Sequence, residues 1–410
     1  MFPCGSLLIC RSIQAWSWII SVSNSHIRPC HNNAQRPFIL GIETSCDDSA
    51  SAIVSSDGQI LGEYIHSQQI SHLRFGGIIP PVAQDFHRKH IENVVSQTFK
   101  NANLSCNEID AIAVTNRPGL PLSLLVGVRY AKFLARKHNK PIIPIHHMQA
   151  HALMARMTSD IPYPYLCILL SGGHALLTLV KSACEFYLLG QTLDDAPGEA
   201  LDKIARRLKL RNLPRYNCIS GGAAIELAAA RGQVSAKYPF PLPLSQYRDC
   251  QFSFAGLKNA ATRQIALEEQ FLDLAPDAVL PDYENFCANY LNAVTRHISQ
   301  RAKRAMLFVE KESLIHPKDQ KILVISGGVA RNDAIFNGVS EMASTMSFKT
   351  VRPEKNLCND NGTMIAWNGM ETFLEQRNLT VSYDNIDIFS KASIGFDMIE
   401  KVKNKNISTK

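Results

Sequence analysis

The chain has eleven cysteines but no CxxC pair among them. That removes the spacing expected of a zinc ribbon or a thioredoxin-like redox motif. The odd, scattered set also argues against a full disulfide framework, so the thiols are read as mostly reduced, in a non-secretory compartment. No apolar run is long enough to cross a bilayer; Ile13 to Val22 comes nearest and is too short. The first 36 residues hold no Asp or Glu, only the arginines Arg11, Arg28 and Arg36. An acid-free start of this kind predicts a mitochondrial presequence over 1–36, with a secretory signal ending near Ser21-Val22-Ser23 as the rival. Charged residues are also sparse, 19% against 46% hydrophobic, which suits a compact enzyme better than a disordered adaptor.

What is present fills two domains. A length of 410 residues supports two cores, and a net charge of +7 is compatible with RNA binding without requiring it. The apolar segment Phe38–Ile42 reads as a strand running into Glu43-Thr44-Ser45-Cys46-Asp47-Asp48. Strands at Ala50–Val54 and Ile60–Ser67 follow, then a helix over Gln84–Asn101, a strand at Ile109–Thr115, a helix over Ser123–His138 and a short strand at Pro141–Ile145. The pattern then recurs: Tyr165–Leu170, Ala175–Val180 and Phe186–Thr192 read as three strands, the first ending in Ser171-Gly172-Gly173-His174. A duplication of pattern without duplication of residues predicts two related α/β lobes around a cleft. The expected division is an N-terminal lobe over 37–165 and a C-terminal lobe with a helical insertion over 166–385. A segment over 386–400 is expected to return to the first lobe, ahead of a disordered basic tail over 401–410.

Two features carry chemistry. In Ile145-His146-His147-Met148-Gln149-Ala150-His151, a helix would put His147 and His151 one turn apart with both imidazoles facing the same way. That is half of a site for a borderline ion such as zinc or iron. The alternative is two partly buried histidines on an amphipathic helix. A zinc peptidase lacks its base here, because Met148 stands where the glutamate should be. A carboxylate far along the chain is needed as third ligand, and Asp360, otherwise a helix N-cap, is available. The second feature is three strands ending in small polar or glycine turns, Thr44-Ser45, Ser171-Gly172-Gly173 and Ser326-Gly327-Gly328. Such turns let backbone N–H groups approach a phosphate, and three of them point to a nucleotide held between lobes. Asp47 and Asp48 sit at the first turn, as Asx-type turn stabilisers or facing the reacting centre. Asp202 and Glu226 are ordinary solvated helix acids or acceptors for ribose hydroxyls. Three basic clusters are candidates for an RNA surface or plain solvated helix faces: Arg129 to Lys140, Lys203 to Arg215, and Arg296, Arg301, Lys303 and Arg304.

Seven motifs occur in order. They are Gly41-Ile42-Glu43-Thr44-Ser45-Cys46-Asp47, His147-x-x-x-His151, Ser171-Gly172-Gly173-His174, Asp194 to Lys203, Phe252 to Lys258, Ser326 to Asn332, and Asp360-Asn361-Gly362. Together they resemble the TsaD-type tRNA threonylcarbamoyltransferases, mitochondrial branch, from about Phe38 to Phe396. The resemblance implies a two-lobed actin-like ATPase (ASKHA) fold with duplicated βββαβα units around a nucleotide cleft. It implies transfer of threonylcarbamoyl from L-threonylcarbamoyladenylate, supplied by a separate synthase, to N6 of adenosine 37 in mitochondrial tRNAs that read ANN codons. By motif, His147, His151 and Asp360 would hold one divalent metal ion per subunit, zinc or iron. Leu169, Leu170, Ser171, Gly172, Gly173, Asp202, Gly222, Glu226 and Asn332 would hold the adenylate. Apart from the motifs, Asp47, the acid nearest the first turn, is the candidate for helping the amine lose its proton. A matrix enzyme acting as a homodimer, without a membrane span, is the expected form. The chain departs from the family pattern at Gln149-Ala150, Pro80-Pro81, Asp85 and Arg117, none of them a proposed ligand. The rival readings are a metal-independent kinase of the same superfamily and a non-catalytic nucleotide-dependent RNA-binding module.

Overall fold

The computed structural model describes residues 36–75, 77–375 and 383–409; the presequence expected over 1–36 lies, but for Arg36, outside them. Two sheets organise the described chain. The first contains β1 (Phe38–Glu43), β2 (Ser49–Ser55), β3 (Ile60–His66), β4 (Ala111–Arg117) and β5 (Ile142–His146), in the order β3-β2-β1-β4-β5. The second contains β6 (Tyr165–Leu170), β7 (Ala175–Val180), β8 (Phe186–Gln191), β9 (Ile322–Ser326), β10 (Lys349–Val351) and β11 (Phe396–Asp397), in the order β10-β9-β6-β7-β8-β11. In each sheet the first three strands form an antiparallel meander, and the next two add in parallel on the other side of the first strand. Apart from β11, the second sheet repeats the first strand for strand, so the duplication legible in the sequence is one of topology.

The helices are α1 (Gln69–Phe75), α2 (Pro80–Ala102), α3 (Pro121–His138), α4 (His147–Thr158), α5 (Pro197–Arg207), α6 (Gly221–Ala229), α7 (Ala255–Phe271), α8 (Tyr283–Lys311), α9 (Asp333–Thr345), α10 (Gly362–Glu375) and α11 (Ile399–Asn404). Pro80 and Pro121 stand in the first turns of α2 and α3, where a missing N–H costs nothing. Tyr283–Lys311 is one continuous helix. Between the sheets, α4 and α10 share one apolar core with Ile39, Ala113 and Ile145 from the first sheet and Tyr165, Cys167 and Val324 from the second. This shared layer fixes both sheets against the same two helices, which are also the helices that carry the histidines and follow Asp360.

Three expectations about the C-terminal third are corrected. Although α10 falls within 166–385, it lies on the first sheet: an added Cβ at Gly41 would stand 2.3 Å from Ala366 N, and one at Gly369 2.5 Å from Ala113 Cβ. The return to the first lobe therefore begins at Gly362, well before residue 386. The chain then leaves the first lobe again, because β11 pairs with β8 and Val402 and Ile407 are buried in the second lobe's core. For the same reason 401–410 is not a disordered tail over its described part. Ile399, Val402 and Ile407 anchor it, Lys401 and Lys405 both pair with Glu312, and Arg304 Nε donates to Ile407 O. Lysines dominate the composition there and hide the apolar anchors Val402 and Ile407.

Candidate active site

His146 ends β5 and caps α4, its Nδ1 accepting from Met148 N at 3.2 Å. The helix therefore starts at His147, and the 3.6-residue period brings His151 beneath it with the rings 4.8 Å apart, edge to face. Both Nε2 atoms reach Asp360 Oδ1, His151 at 3.1 Å and His147 at 3.5 Å. The ligand atoms of the three residues all lie within 4.8 Å of one another. Asp360 is free to do this because Asn361, not Asp360, caps α10, its Oδ1 accepting from Met364 N at 2.7 Å. Two imidazole nitrogens and a carboxylate oxygen converging on one point are a donor set for a single divalent ion.

The support behind these ligands has no local signature in the chain. Glu43 Oε2 lies 3.1 Å from His147 Nδ1 and accepts from Thr115 Oγ1 at 2.6 Å, while its other oxygen accepts from Ser45 N. A proton on Nδ1 shared with Glu43 leaves the Nε2 lone pair facing Asp360, which fixes the tautomer a metal ligand needs. Burial opposes charge on His147, yet the Asp360 and Glu43 carboxylates outweigh it and hold the imidazole well above its usual range. Burial likewise opposes ionisation of Asp360 and Glu43, and His147 outweighs it, holding Asp360 well below its ordinary value and lowering Glu43. Without a metal, a proton on His147 offsets the charge of the two acids. One general signal did exist in the sequence: an acid in the otherwise apolar strand Phe38–Glu43 must have a partner.

Glu43→Gln keeps the hydrogen bond but not the charge and should weaken metal binding by roughly 10- to 100-fold, read by competition with a chromophoric chelator; unchanged affinity contradicts the support role. The pH dependence of the site has a definite sign. The folded pKa of His147 is raised, so its stabilisation of the metal-free protein is fully present below the unfolded value and is lost as pH rises through the folded one. The metal must displace that proton, so the rise in Tm on adding metal should grow with pH across that range, with proton release on binding. A metal-induced rise that shrinks with increasing pH contradicts this.

A cavity of about 570 Å³ is lined among others by Gly172, Asp202, Gly222, Glu226, Asn332 and Lys355, and reaches Asn359, the residue before Asp360. Gly198 of α5, Gly222 of α6 and the α9 cap Asn332 all border it, so three helix N-termini converge on it. Added Cβ atoms at Gly172 and Gly173 would meet nothing within 4 Å, so packing does not demand glycine there; close approach of a ligand would. Gly327 is different: its φ of +93° requires glycine, as does the Leu170 carbonyl oxygen, which would stand 2.4 Å from an added Cβ. Asp202 Oδ1 accepts from Gly222 N at 2.9 Å, tying α6 to α5, and burial raises its pKa against that hydrogen bond. Glu226, also raised by burial, accepts from Asp333 N at 2.6 Å, and Asn332 Oδ1 accepts from Ile335 N.

The other expected contacts are distributed differently. Leu169 and Leu170 are fully buried in β6, their side chains in the cores on its two faces, so what they present toward the site is backbone. Ser171 shapes the turn, its Oγ accepting from Gly173 N and His174 N. Asp47 lines an adjoining cavity of about 250 Å³ that shares Asp202 and Ser220 with the larger one. Its neighbour Asp48 is pushed up to about 6, by burial first and then by Asp47 and Asp360 against a bond from Ser67, and its buried Oδ1 has no hydrogen-bond partner among the described residues. Of the basic clusters, the third is corrected for Arg301 and Arg304, while Arg296 stays exposed. Arg301 and Arg304 are buried and donate to the carbonyls of Leu244, Asp249 and Ile407, holding the proline-rich loop and the C-terminus. Arg207 and Lys209 are tied to Glu269, whereas Arg129 and Lys137 on α3 are exposed.

Duplicated βββαβα lobes, with a His-His-Asp cluster compatible with a single metal ion and a nucleotide-sized cavity, define a protein of the actin-like ATPase fold. The crystal structure of HypF from T. kodakarensis shares that fold at a TM-score of 0.51 and 14% identity, over 83% of this chain and 48% of that one. The model of the TsaD family, described as tRNA N6-adenosine threonylcarbamoyltransferase, matches residues 59–367. A Drosophila melanogaster protein named "Probable tRNA N6-adenosine threonylcarbamoyltransferase, mitochondrial" is 47% identical over 370 residues, 90% of each chain. The mitochondrial tRNA N6-adenosine threonylcarbamoyltransferases of Danio rerio and Homo sapiens are 41% and 40% identical, covering 94% and 90% of this chain and 94% and 89% of their own. The chain belongs to the TsaD family.

Proposed function

We propose that the protein is the mitochondrial tRNA N6-adenosine threonylcarbamoyltransferase of its organism. It transfers threonylcarbamoyl from L-threonylcarbamoyladenylate to N6 of adenosine 37 in tRNAs that read ANN codons. The observation that carries this reading is the His147-His151-Asp360 cluster together with an adenylate-sized cavity whose lining reaches Asn359, the residue before Asp360, in a chain of this family. A kinase of the same superfamily has no need of that cluster, and the family match does not favour it. The work is done in the matrix, on a donor made by a separate synthase.

The donor is a mixed anhydride with a good leaving group, and the aromatic amine is a poor nucleophile. Catalysis therefore consists of activating the carbonyl, stabilising charge on phosphate and aligning the amine. Nε2 of His147, Nε2 of His151 and the Asp360 carboxylate would hold one zinc or iron ion, which supplies Lewis-acid stabilisation of carbamoyl or phosphate oxygens. Gly172 and Gly173 let backbone approach the phosphate, and the N-termini of α5, α6 and α9 favour its charge. Asp202 and Glu226 face the ribose hydroxyls. N6 attacks the carbamoyl carbon, the new C–N bond forms, the C–O bond to phosphate breaks, and AMP leaves with the electron pair. Asp47 takes the proton that N6 loses. The exposed apolar side of α2 and α3, with Tyr130, Phe133 and Leu125 around a groove of about 290 Å³, supports association of two copies as a homodimer.

The test is reconstitution. Residues 36–410, loaded with metal, receive L-threonylcarbamoyladenylate and an unmodified ANN-reading tRNA, and nucleosides are analysed by mass spectrometry. Threonylcarbamoyladenosine at position 37, and none on a tRNA reading other codons, is expected. Absence of product with metal bound contradicts the reading, and a full rate from Asp47→Asn with tRNA and metal saturating contradicts the role given to Asp47.

A further inference from the structure

The cavity of about 250 Å³ has α1 on one side and α5, α6 and the connection between them on the other. Asp47, Gln69, His72, Ile78, Arg206 and Arg211 are among its lining, and it shares Gln69, Asp202, Ile219 and Ser220 with the larger cavity. The basic run Lys203 to Arg215 divides here. Lys203 pairs with Glu199, and Arg207 and Lys209 pair with Glu269. Arg206 and Arg211 are exposed, and their guanidinium groups make no ion pair or hydrogen bond among the described residues. The acid they act on is Asp202, through space. Across the cavity His72 is 4% exposed; its Nε2 lies 3.0 Å from Gln68 Oε1, and its Nδ1 has no partner among the described residues. Ile78 and Ile219 add apolar surface.

A donor with a single phosphate charge does not need these two cations, because the larger cavity meets that charge with Arg331, Lys355 and three helix N-termini. The volume falls below the roughly 300 Å³ at which sites for whole small ligands begin, so it suits one part of a ligand whose remainder stays outside. A nucleotide of an RNA loop is such a ligand. Chemistry on a base requires it out of the stack. Its face then packs on apolar side chains and its edge finds polar atoms, while the phosphates stay at the mouth and accept from guanidinium groups. We propose that this cavity receives the acceptor nucleotide of the tRNA, its base turned in beside Asp47 and the flanking phosphates held by Arg206 and Arg211. This rests on the function proposed above.

The test uses full-length, metal-loaded protein and an ANN-reading tRNA joined from synthetic pieces, with a neutral methylphosphonate either beside adenosine 37 or in the acceptor stem. Binding is measured without donor. Wild type should bind the tRNA substituted beside adenosine 37 roughly tenfold more weakly than the other, the scale of one charge-assisted contact. In Arg206→Gln/Arg211→Gln that ratio should fall close to one, and because both side chains are exposed the double variant folds. Arg296→Gln, which removes another exposed cation, should keep the ratio. Ile78→Trp fills the cavity from its exposed side and should raise the KM for tRNA roughly tenfold, with the KM for the donor unchanged. A wild-type ratio of one, a ratio kept by the double variant, or one lost equally in Arg296→Gln overturns the assignment. So does Ile78→Trp with an unchanged KM for tRNA, or with both KM values raised, which would give the cavity to the donor. Wild type that forms no threonylcarbamoyladenosine on the unsubstituted tRNA contradicts the proposed function itself, and the placement with it.

Discussion

His147→Ala is expected to lower threonylcarbamoyl transfer by roughly 10²- to 10⁴-fold, the scale of several kcal/mol of lost charge stabilisation, and to purify without stoichiometric metal. Three contacts meet at this side chain: Nε2 faces Asp360, and Nδ1 lies 3.1 Å from both Glu43 Oε2 and Ser45 Oγ. Its removal therefore opens the ligand set and also leaves Glu43 buried beside an acid with no cation between them. The variant thus combines a loss of metal with a loss of stability. His151→Ala separates the two, because among the described residues His151 bonds only through Nε2 to Asp360 and its Nδ1 has no partner to lose. Equal loss of metal and activity in both variants, with His151→Ala retaining its Tm at high pH, assigns the effect to the ion. Full metal content in either variant contradicts the ligand set.

Gly41→Val is expected to destabilise the protein strongly and to release the metal as well. At Gly41 an added Cβ would lie 2.3 Å from Ala366 N and 2.4 Å from Gly362 O. At Gly362 one would lie 2.3 Å from the Ser51 carbonyl carbon. These are backbone atoms of a sheet and of the helix lying on it, so no side-chain rotation relieves the contact. Overpacking costs about 1–3 kcal/mol when side chains can shift and more when they cannot. Because Asp360 stands just before α10, lifting the helix off β1 also withdraws the third ligand from the histidines. Gly256→Ala, whose Cβ meets nothing within 4 Å, should leave stability unchanged or slightly raised and serves as the control in thermal melts. A Gly41→Val protein as stable as wild type would contradict the close approach of α10 to the sheet.

Much of this was legible in the sequence, for identifiable reasons. Strands that end in polar turns have sharp boundaries, and Tyr165–Leu170 and Ala175–Val180 form over the residues their patterns predict. The His147-x-x-x-His151 spacing becomes geometry directly, because a helix converts four residues into one turn. What stayed hidden depends on contacts between distant segments. Glu43 is 104 residues from His147, and no local pattern links them. Arg301 and Arg304 look like a solvated helix face, since a guanidinium satisfied by loop carbonyls has the same sequence signature as one satisfied by water. Leu169 and Leu170 belong to a motif that passes the site, and their side chains fill the cores on the two faces of the strand. The packing of α10 on the first sheet is encoded in Gly41 and Gly362, two small residues that read as ordinary turn and strand glycines until the helix is placed over them.

The most direct test of the account is metal removal in the reconstituted transfer reaction. Protein stripped by a chelator and shown metal-free by elemental analysis should form no threonylcarbamoyladenosine. Adding back one equivalent of zinc or iron per chain should restore transfer to wild type but not to His147→Ala. Transfer at the full rate by verified metal-free protein would contradict the central claim that His147, His151 and Asp360 act through a bound ion.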